Sequence, residues 1–435
     1  MRINAKLRLS LLLALIVPIL AACGGATASA PTAAPAPTAA PAAEAPTAAP
    51  AAEAPTAAPA AEAPTAAPTT EAPTAMAEPT AAGAAPTAAA AGGAFKPRDV
   101  TAKLTGSGAS FPDPIYQTWI KNYKAVAPTV EINYQSVGSG QGRKDFFGAV
   151  TDFGGTDKYA SDSELKAATD STTGTLKTAV LHIPTVLGAV VATYNLPGID
   201  KLQFSGETLV GIFMGTITNW NDPKIAADNP GVTLPDTEIT VAHRSDGSGT
   251  TSIFTNYLSS VSADWKSKVG AGDTVQWPVG QGGEKNPGVA AIVQQSEGAI
   301  GYVELIYALS NKLPVPAIKN AAGKYVVPSL DSTAAAAAGF LAKTPDDLRV
   351  NIVNPPEGET AYPIAGYTWI LVAKDQKDEA KAQALTDFLY WALTQGSDAA
   401  KSLNYSPLPD SVREKAIAKL GEIMVNGKPA FTLPK

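Results

Sequence analysis

The chain has 435 residues, a formal net charge of −6, two histidines and one cysteine. The mildly acidic balance speaks against nucleic acid or an anionic membrane surface as a partner. So few histidines and cysteines nearly exclude a zinc site of those ligands, and a lone cysteine rules out a disulfide within the chain.

Arg2, Lys6 and Arg8 precede an apolar run from Leu9 to Leu20, the order of a secretion signal. The run is too short to span a bilayer. It ends Leu20-Ala21-Ala22-Cys23, which resembles the lipobox of bacterial lipoproteins. That resemblance implies a signal peptide over residues 1–22 and a lipidated Cys23 as the first mature residue. Several acyl chains on one residue, palmitate among them, meet the need for more than one chain in stable anchoring. From Gly24 to about Ala94 the chain is almost wholly Ala, Pro, Thr and Glu, with a nine-residue unit marked by Glu44, Glu53, Glu62 and Glu71. Such a composition has almost nothing to bury and cannot offset the entropy of ordering, so residues 23–95 are expected to form a disordered tether. At about 3.1 Å per extended residue it would reach roughly 200 Å.

The folded part begins near Phe95 and holds about 340 residues, enough for two domains. Strand and helix patterns alternate in it, which predicts α/β layers. Ala102–Thr105 reads as a short strand, and Gly106-Ser107-Gly108-Ala109-Ser110-Phe111-Pro112 as a glycine loop. The helix that follows has Pro114 in its first turn and Ile115, Trp119, Tyr123 and Val126 on one face. The pattern repeats with a strand at Val130, Ile132 and Tyr134, a loop at Gly138-Ser139-Gly140-Gln141-Gly142, and a helix from Arg143. A third glycine loop spans Val150–Asp157.

Ile239–Ala242 reads as a strand end, and Ile253, Phe254, Tyr257, Leu258 and Val261 recur at helical spacing. Between them His243-Arg244-Ser245-Asp246-Gly247-Ser248-Gly249-Thr250-Thr251 runs from strand to helix N-terminus. Unpaired N–H groups, the positive end of the macrodipole, the hydroxyls of Ser248, Thr250 and Thr251 and a forked cation at Arg244 suit a small oxyanion. An ordinary Gly/Ser turn that caps a helix fits the same residues. No Lys follows Gly249, which speaks against a nucleotide loop, and Asp246 and Thr250 flank Ser248 where a nucleophile elbow needs glycines. Trp119, Tyr123, Phe388 and Leu389 are expected in the core, and Asp378–Leu393 and Asp410–Ile423 read as amphipathic helices packed on the first lobe.

With these segments in view, the chain resembles the phosphate-binding subunit family of the bacterial high-affinity phosphate ABC importers. The likeness rests on Gly-Ala-Ser-Phe-Pro at 108–112, Val-Gly-Ser-Gly at 137–140, Asp-Phe-Gly-Gly-Thr-Asp at 152–157 and Arg-Ser-Asp-Gly-Ser-Gly-Thr at 244–250. Thr-Asn-Trp-Asn-Asp-Pro at 218–223, Trp-Pro-Val-Gly at 277–280, Gly-Ala-Ile-Gly-Tyr-Val-Glu at 298–304 and Leu-Pro-Asp-Ser-Val at 408–412 extend it over about residues 101–425. It implies an α/β, two-lobed periplasmic-binding-protein-like fold of type II, with ligand in the inter-lobe cleft and two crossover strands. Lobe I would be 96–185 plus 362–435 and lobe II 186–361, with crossings near His182–Thr185 and Tyr362–Ile364.

The resemblance further implies that Ser110, Phe111, Ser139, Asp157, Arg244, Ser248, Gly249 and Thr250 bind inorganic phosphate. Ser110 and Ser139 would donate from hydroxyls, Phe111 from its backbone, Arg244 as the cation, and 248–250 as the helix N-terminus. Three positions depart from the family pattern: Ser110 where Thr is also common, Ser139-Gly140-Gln141-Gly142 in place of Ser-Ser-Gly-Gly, and His243 where a second Arg often stands. A carboxylate beside an anion repels it unless the anion brings a proton. Phosphate near neutral pH carries at least one and sulfate carries none, so Asp157 would select between them.

The implied protein is a monomer, anchored by lipid to the outer face of the cytoplasmic membrane, that hands phosphate to ABC permease transmembrane subunits without a cofactor or metal. Two other functions stand beside this one. One is a phosphate-sensing or scavenging surface lipoprotein. The other is a phosphatase or esterase with Ser248 as nucleophile and His243 as base, but no pattern orders His243, Asp246 and Ser248 as a triad, so no enzyme is expected.

Overall fold

The computed structural model describes residues 95–434. The signal peptide, Cys23 and the tether ahead of residue 95 lie outside the described residues. The chain runs β1 (Ala102–Gly108), α1 (Asp113–Val126), β2 (Val130–Ser136), α2 (Ser139–Phe147), β3 (Phe153–Thr156), α3 (Asp162–Thr169) and the long β4 (Val180–Tyr194). It continues through β5 (Gln203–Phe204), α4 (Gly206–Phe213), α5 (Pro223–Asp228), β6 (Thr240–Arg244), α6 (Gly249–Val261), α7 (Ala263–Lys268), β7 (Gln281–Gly283) and α8 (Lys285–Gln295). Then come β8 (Ala299–Glu304), α9 (Leu305–Ser310), β9 (Ala317–Lys319), β10 (Tyr325–Val326), α10 (Leu330–Ala338) and β11 (Ala365–Ala373), followed by α11 (Glu379–Thr394), α12 (Ser397–Ser402) and α13 (Asp410–Leu420).

The main sheet has the order β2-β1-β3-β11-β4-β8-β6-β7. β1, β2 and β3 are parallel on one side, and β6, β7 and β8 are parallel on the other. The antiparallel pair β4 and β11 joins the two sets. β4 is buried on both faces along almost its whole length, which explains its run of Val, Leu, Ile and Ala. It pairs with β11 through Val180–Ala189 and with β8 through Val190–Tyr194, a few residues beyond the segment His182–Thr185. Pro184 cannot donate to a ladder, and the register slips there: Trp369 pairs with Pro184 and Thr368 with Val186, so Thr185 bulges.

All three glycine segments differ in part from their reading as loops. Gly106–Gly108 extend β1, because the Phe153 ring lies where a side chain on Gly106 would be. Ser139–Gly142 form the first turn of α2, because Gly142 packs directly on the Gly108 backbone. In both places glycine serves close approach, not a turn. Phe153–Thr156 of the third segment likewise form β3, paired with β1 and β11.

The expected core residues are inside. Trp119, Tyr123, Phe388 and Leu389 are all buried, and the Tyr123 ring lies 5.2 Å from Phe388 and 5.4 Å from Trp391. The chain enters this core through Arg98. Its guanidinium reaches both oxygens of the buried Asp387 on α11, with contacts of 2.6–3.1 Å, and also Thr386 Oγ1, Gln383 O and Ala430 O. Arg98→Ala would strand the Asp387 carboxylate without its cation. The unfolding free energy is expected to fall by about 3 kcal/mol, read as a lower urea midpoint with unchanged slope.

Candidate functional site

The parallel strands on both sides end toward one place, as open α/β sheets do at ligand sites. β1 delivers Ser110 and Phe111, β2 leads into Ser139 at the start of α2, and β3 ends beside Asp157. From the other side β6 delivers Arg244, and α6 begins at Gly249. All eight residues expected at the site are buried, none of those with a side chain more than 4 % exposed.

They meet across the two halves of the sheet. Asp157 Oδ2 accepts from Ser139 Oγ at 3.2 Å, and Oδ1 accepts from Thr368 Oγ1 at 2.8 Å. A Cβ on Gly249 would lie 2.5 Å from both Asp157 Cβ and Oδ2, and 2.7 Å from Ser139 Oγ. The first turn of α6 therefore touches the carboxylate, and only glycine permits it. The Gly140 N–H donates to Gly247 O at 2.8 Å, a second contact between the halves.

The donors are held in place. Ser248 Oγ caps α6 by accepting the Thr251 N–H at 3.0 Å, while the Ser248 N–H donates to Asp273 O at 2.8 Å. The N–H groups of Gly249 and Thr250, first in α6, have no intrahelical acceptor. Tyr307 OH donates to Ser110 O and Tyr405 OH to Phe111 O, each at 2.6 Å, which fixes the peptide between them. Arg244 is gripped by Asp246, with Nε to Oδ1 at 2.7 Å and Nη2 to Oδ2 at 2.5 Å. That leaves Nη1, which lies 3.5 Å from Thr250 Oγ1.

Burial pushes the Asp157 carboxyl up to about 7, against the donors Thr368 and Ser139 and the charges of Arg244 and Arg143. Asp246 ends below the usual carboxylate range: burial would raise it, but Arg244 and the Lys285 N–H outweigh that. The site thus holds one ionised carboxylate spent on its arginine and one poised near neutrality. Neutral N–H and hydroxyl donors surround the second.

Several participants escaped the sequence reading. Thr368 is a hydroxyl inside the apolar strand β11, next to the β4 bulge that re-aims its neighbourhood. Asn286, in the first turn of α8, donates to Ser110 and Thr250. The buried Arg143 binds Glu164 Oε1 at 3.0 Å and Thr156 Oγ1 at 3.2 Å, and it pairs across the halves with Asp273. Lys158 Nζ joins that pair, 3.4 Å from Asp273 Oδ1. A polar residue amid apolar periodicity was the available signal for Thr368; for Arg143 and Asp273, far apart in sequence, there was none. His243 stacks on Trp277, with ring centroids 5.0 Å apart, and its Nδ1 faces Arg244 O at 3.1 Å. Among the described residues no hydrogen bond joins it to Ser248.

A PBP superfamily domain is matched over residues 47–395. The phosphate-binding protein PstS of Xylella fastidiosa (strain 9a5c) is 46% identical over 314 residues, 72% of this chain and 83% of that protein. The phosphate-binding protein PstS of Pasteurella multocida is 43% identical over 318 residues, covering 73% and 89%. The fold is shared with a high affinity periplasmic phosphate-binding protein, PfluDING, solved with phosphate bound, at a TM-score of 0.59 and 21% identity over 75% of this chain and 96% of that one.

A carboxyl whose folded pKa lies above its unfolded value keeps a proton that the unfolded chain releases, so stability is lost as pH rises from about 4 through 7. Asp157→Asn removes that loss. Ligand-free D157N is expected to be more stable than the unsubstituted protein at pH 8 by on the order of 2 kcal/mol, with the difference vanishing toward pH 4. Thermal unfolding across that range checks it.

Proposed function

The chain belongs to the PstS-type phosphate-binding proteins of the PBP superfamily, and on that premise we propose that it binds inorganic phosphate outside the cell and delivers it to an ABC-type phosphate permease. The observation that carries this reading is the Asp157 carboxyl pressed against Gly249 at the first turn of α6, ringed by donors. Ser110, Phe111, Ser139, Arg244, Ser248, Gly249 and Thr250 donate to the phosphate oxygens, and Asp157 accepts a hydrogen bond from the protonated phosphate oxygen. A buried anion needs such donors for its lone pairs, or desolvation exceeds what binding returns. Hydrogen bonds to charged groups contribute about 1.5–3 kcal/mol each before those costs, so about ten of them sustain micromolar binding, roughly −8 kcal/mol.

The lobes of this reading are 96–185 with 362–435, and 186–361. The partner change along β4 and the return of the chain through Tyr362–Ile364 into β11 support a crossing at these strands. The contacts of Gly249 with Asp157 and of Gly140 with Gly247 belong to a closed cleft. Closure follows ligand if the anion meets donors from both lobes only in the closed form. Binding without turnover fits the engaged hydroxyl of Ser248, which caps α6, and the stacking of His243 on Trp277. The protein acts as a lipid-anchored monomer, held at Cys23 on the outer face of the membrane.

Ligand-stripped, refolded protein is expected to gain about 4 kcal/mol of stability from phosphate at a thousand times its dissociation constant, and nothing from sulfate. No response to phosphate in calorimetry overturns the reading. Retention of permease subunits on the immobilised protein separates delivery from sensing or scavenging. Asp157→Asn is expected to narrow the preference for phosphate over sulfate at least tenfold, measured by titration of both anions; an unchanged ratio removes that role from Asp157. Asp273→Asn breaks the pair with Arg143 and Lys158 across the cleft. It is expected to speed phosphate release about tenfold with little change in the association rate, as stopped-flow fluorescence would show.

A further inference from the structure

Asn286 is completely buried, and every polar group on it that faces the cleft is engaged. Its Oδ1 lies 2.9 Å from the Glu304 backbone nitrogen. A backbone N–H can only donate, so this contact fixes which end of the amide is oxygen and which is nitrogen. The Nδ2 then donates to Ser110 Oγ at 3.0 Å and to Thr250 Oγ1 at 3.2 Å, and the Asn286 backbone N–H donates to Ser110 Oγ at 3.2 Å. Ser110 follows β1 and Thr250 lies in α6, so one amide spans hydroxyls from opposite sides of the cleft.

A hydroxyl offers two acceptor positions and one hydrogen. Asn286 fills both acceptor positions of Ser110 Oγ. On Thr250 Oγ1 it fills one, and Arg244 Nη1 at 3.5 Å faces the other. Neither hydroxyl can turn round to accept from the guest, so each hydrogen is left pointing outward.

We propose that Asn286 is a positioning residue that sets the polarity of the site: it makes Ser110 and Thr250 obligate donors, so that Asp157 is left as the place for a proton. The inference rests on the phosphate reading above and adds a residue that does not itself touch the anion. Without the amide, both hydroxyls become free to rotate, and the orientation they now hold in advance must be gained on binding.

The experiment is a double-mutant cycle read by titration calorimetry with inorganic phosphate on the full chain. N286A is expected to weaken binding about tenfold in the otherwise unsubstituted protein, the cost of ordering two hydroxyls on binding. In an S110A/T250V background, where there is no hydroxyl left to orient, the same change is expected to cost less than twofold. Equal fold-losses in the two backgrounds overturn the proposal, because they mean that Asn286 acts only through the packing of α8. N286D keeps the shape and reverses the polarity, since its carboxylate takes the hydroxyl hydrogens for itself. It is expected to lose at least as much affinity at pH 8 as N286A does, and N286D binding phosphate as well as Asn does also overturns the proposal. If the unsubstituted protein binds no phosphate, the phosphate reading itself has failed; if it binds and the cycle is additive, only the role of Asn286 has.

Discussion

The contact between Asp157 and the first turn of α6 is the constraint on which the rest of the structure depends. A carboxylate and a helix N-terminus attract, yet here both are out of water, and a Cβ at position 249 would not fit between them. Burial raises the carboxyl to about 7 even with two hydroxyl donors on it. The site therefore favours a proton at its centre and is rich in fixed dipoles around it. A tetrahedral anion that brings its own proton satisfies both conditions, whereas a fully deprotonated one meets only the second. The charge of Arg244 does not tip this balance, because Asp246 already occupies two of its nitrogens.

Much of this was legible in the residues. The strand, loop and helix order around Arg244, the buried aromatic residues of α1 and α11, and the convergence of glycine-rich segments on one cleft all follow from periodicity and from the chemistry of helix ends. Position by position, the site residues came from resemblance; Asp157 taken alone reads as a turn aspartate. What stayed hidden was of two kinds. Glycines at 106–108 and 139–142 look like loops because sequence records conformational freedom, while here the same residues serve backbone contact between β1, α2 and β3. Asn286, Thr368 and the Arg143–Asp273 pair depend on elements that meet only in the folded chain. Their spacing in sequence bears no relation to their distance in space.

The polar groups behind the site form a graded series. Asp157 and the α6 N-terminus stand innermost. Next come Asn286 and Thr368, which orient hydroxyls or the carboxylate and are themselves held by Glu304 N–H and the β4 bulge. Arg143, Lys158 and Asp273 join the two halves through full charges. Arg143 keeps Glu164 and Thr156 whether or not Asp273 is near, so separation of the halves leaves Asp273 to regain its water. The inner groups set the shape and polarity of the site, and these ion pairs are the charged link between the two halves of the sheet.

Arg98 has a mechanical consequence. Arg98, close to the start of the described residues, is riveted by six side-chain contacts to Asp387, Thr386 and Gln383 of α11 and to Ala430. A load entering at Arg98 is borne first by that helix and by Ala430, and not by β4 or β11, the pair that joins the two parallel sets of the sheet.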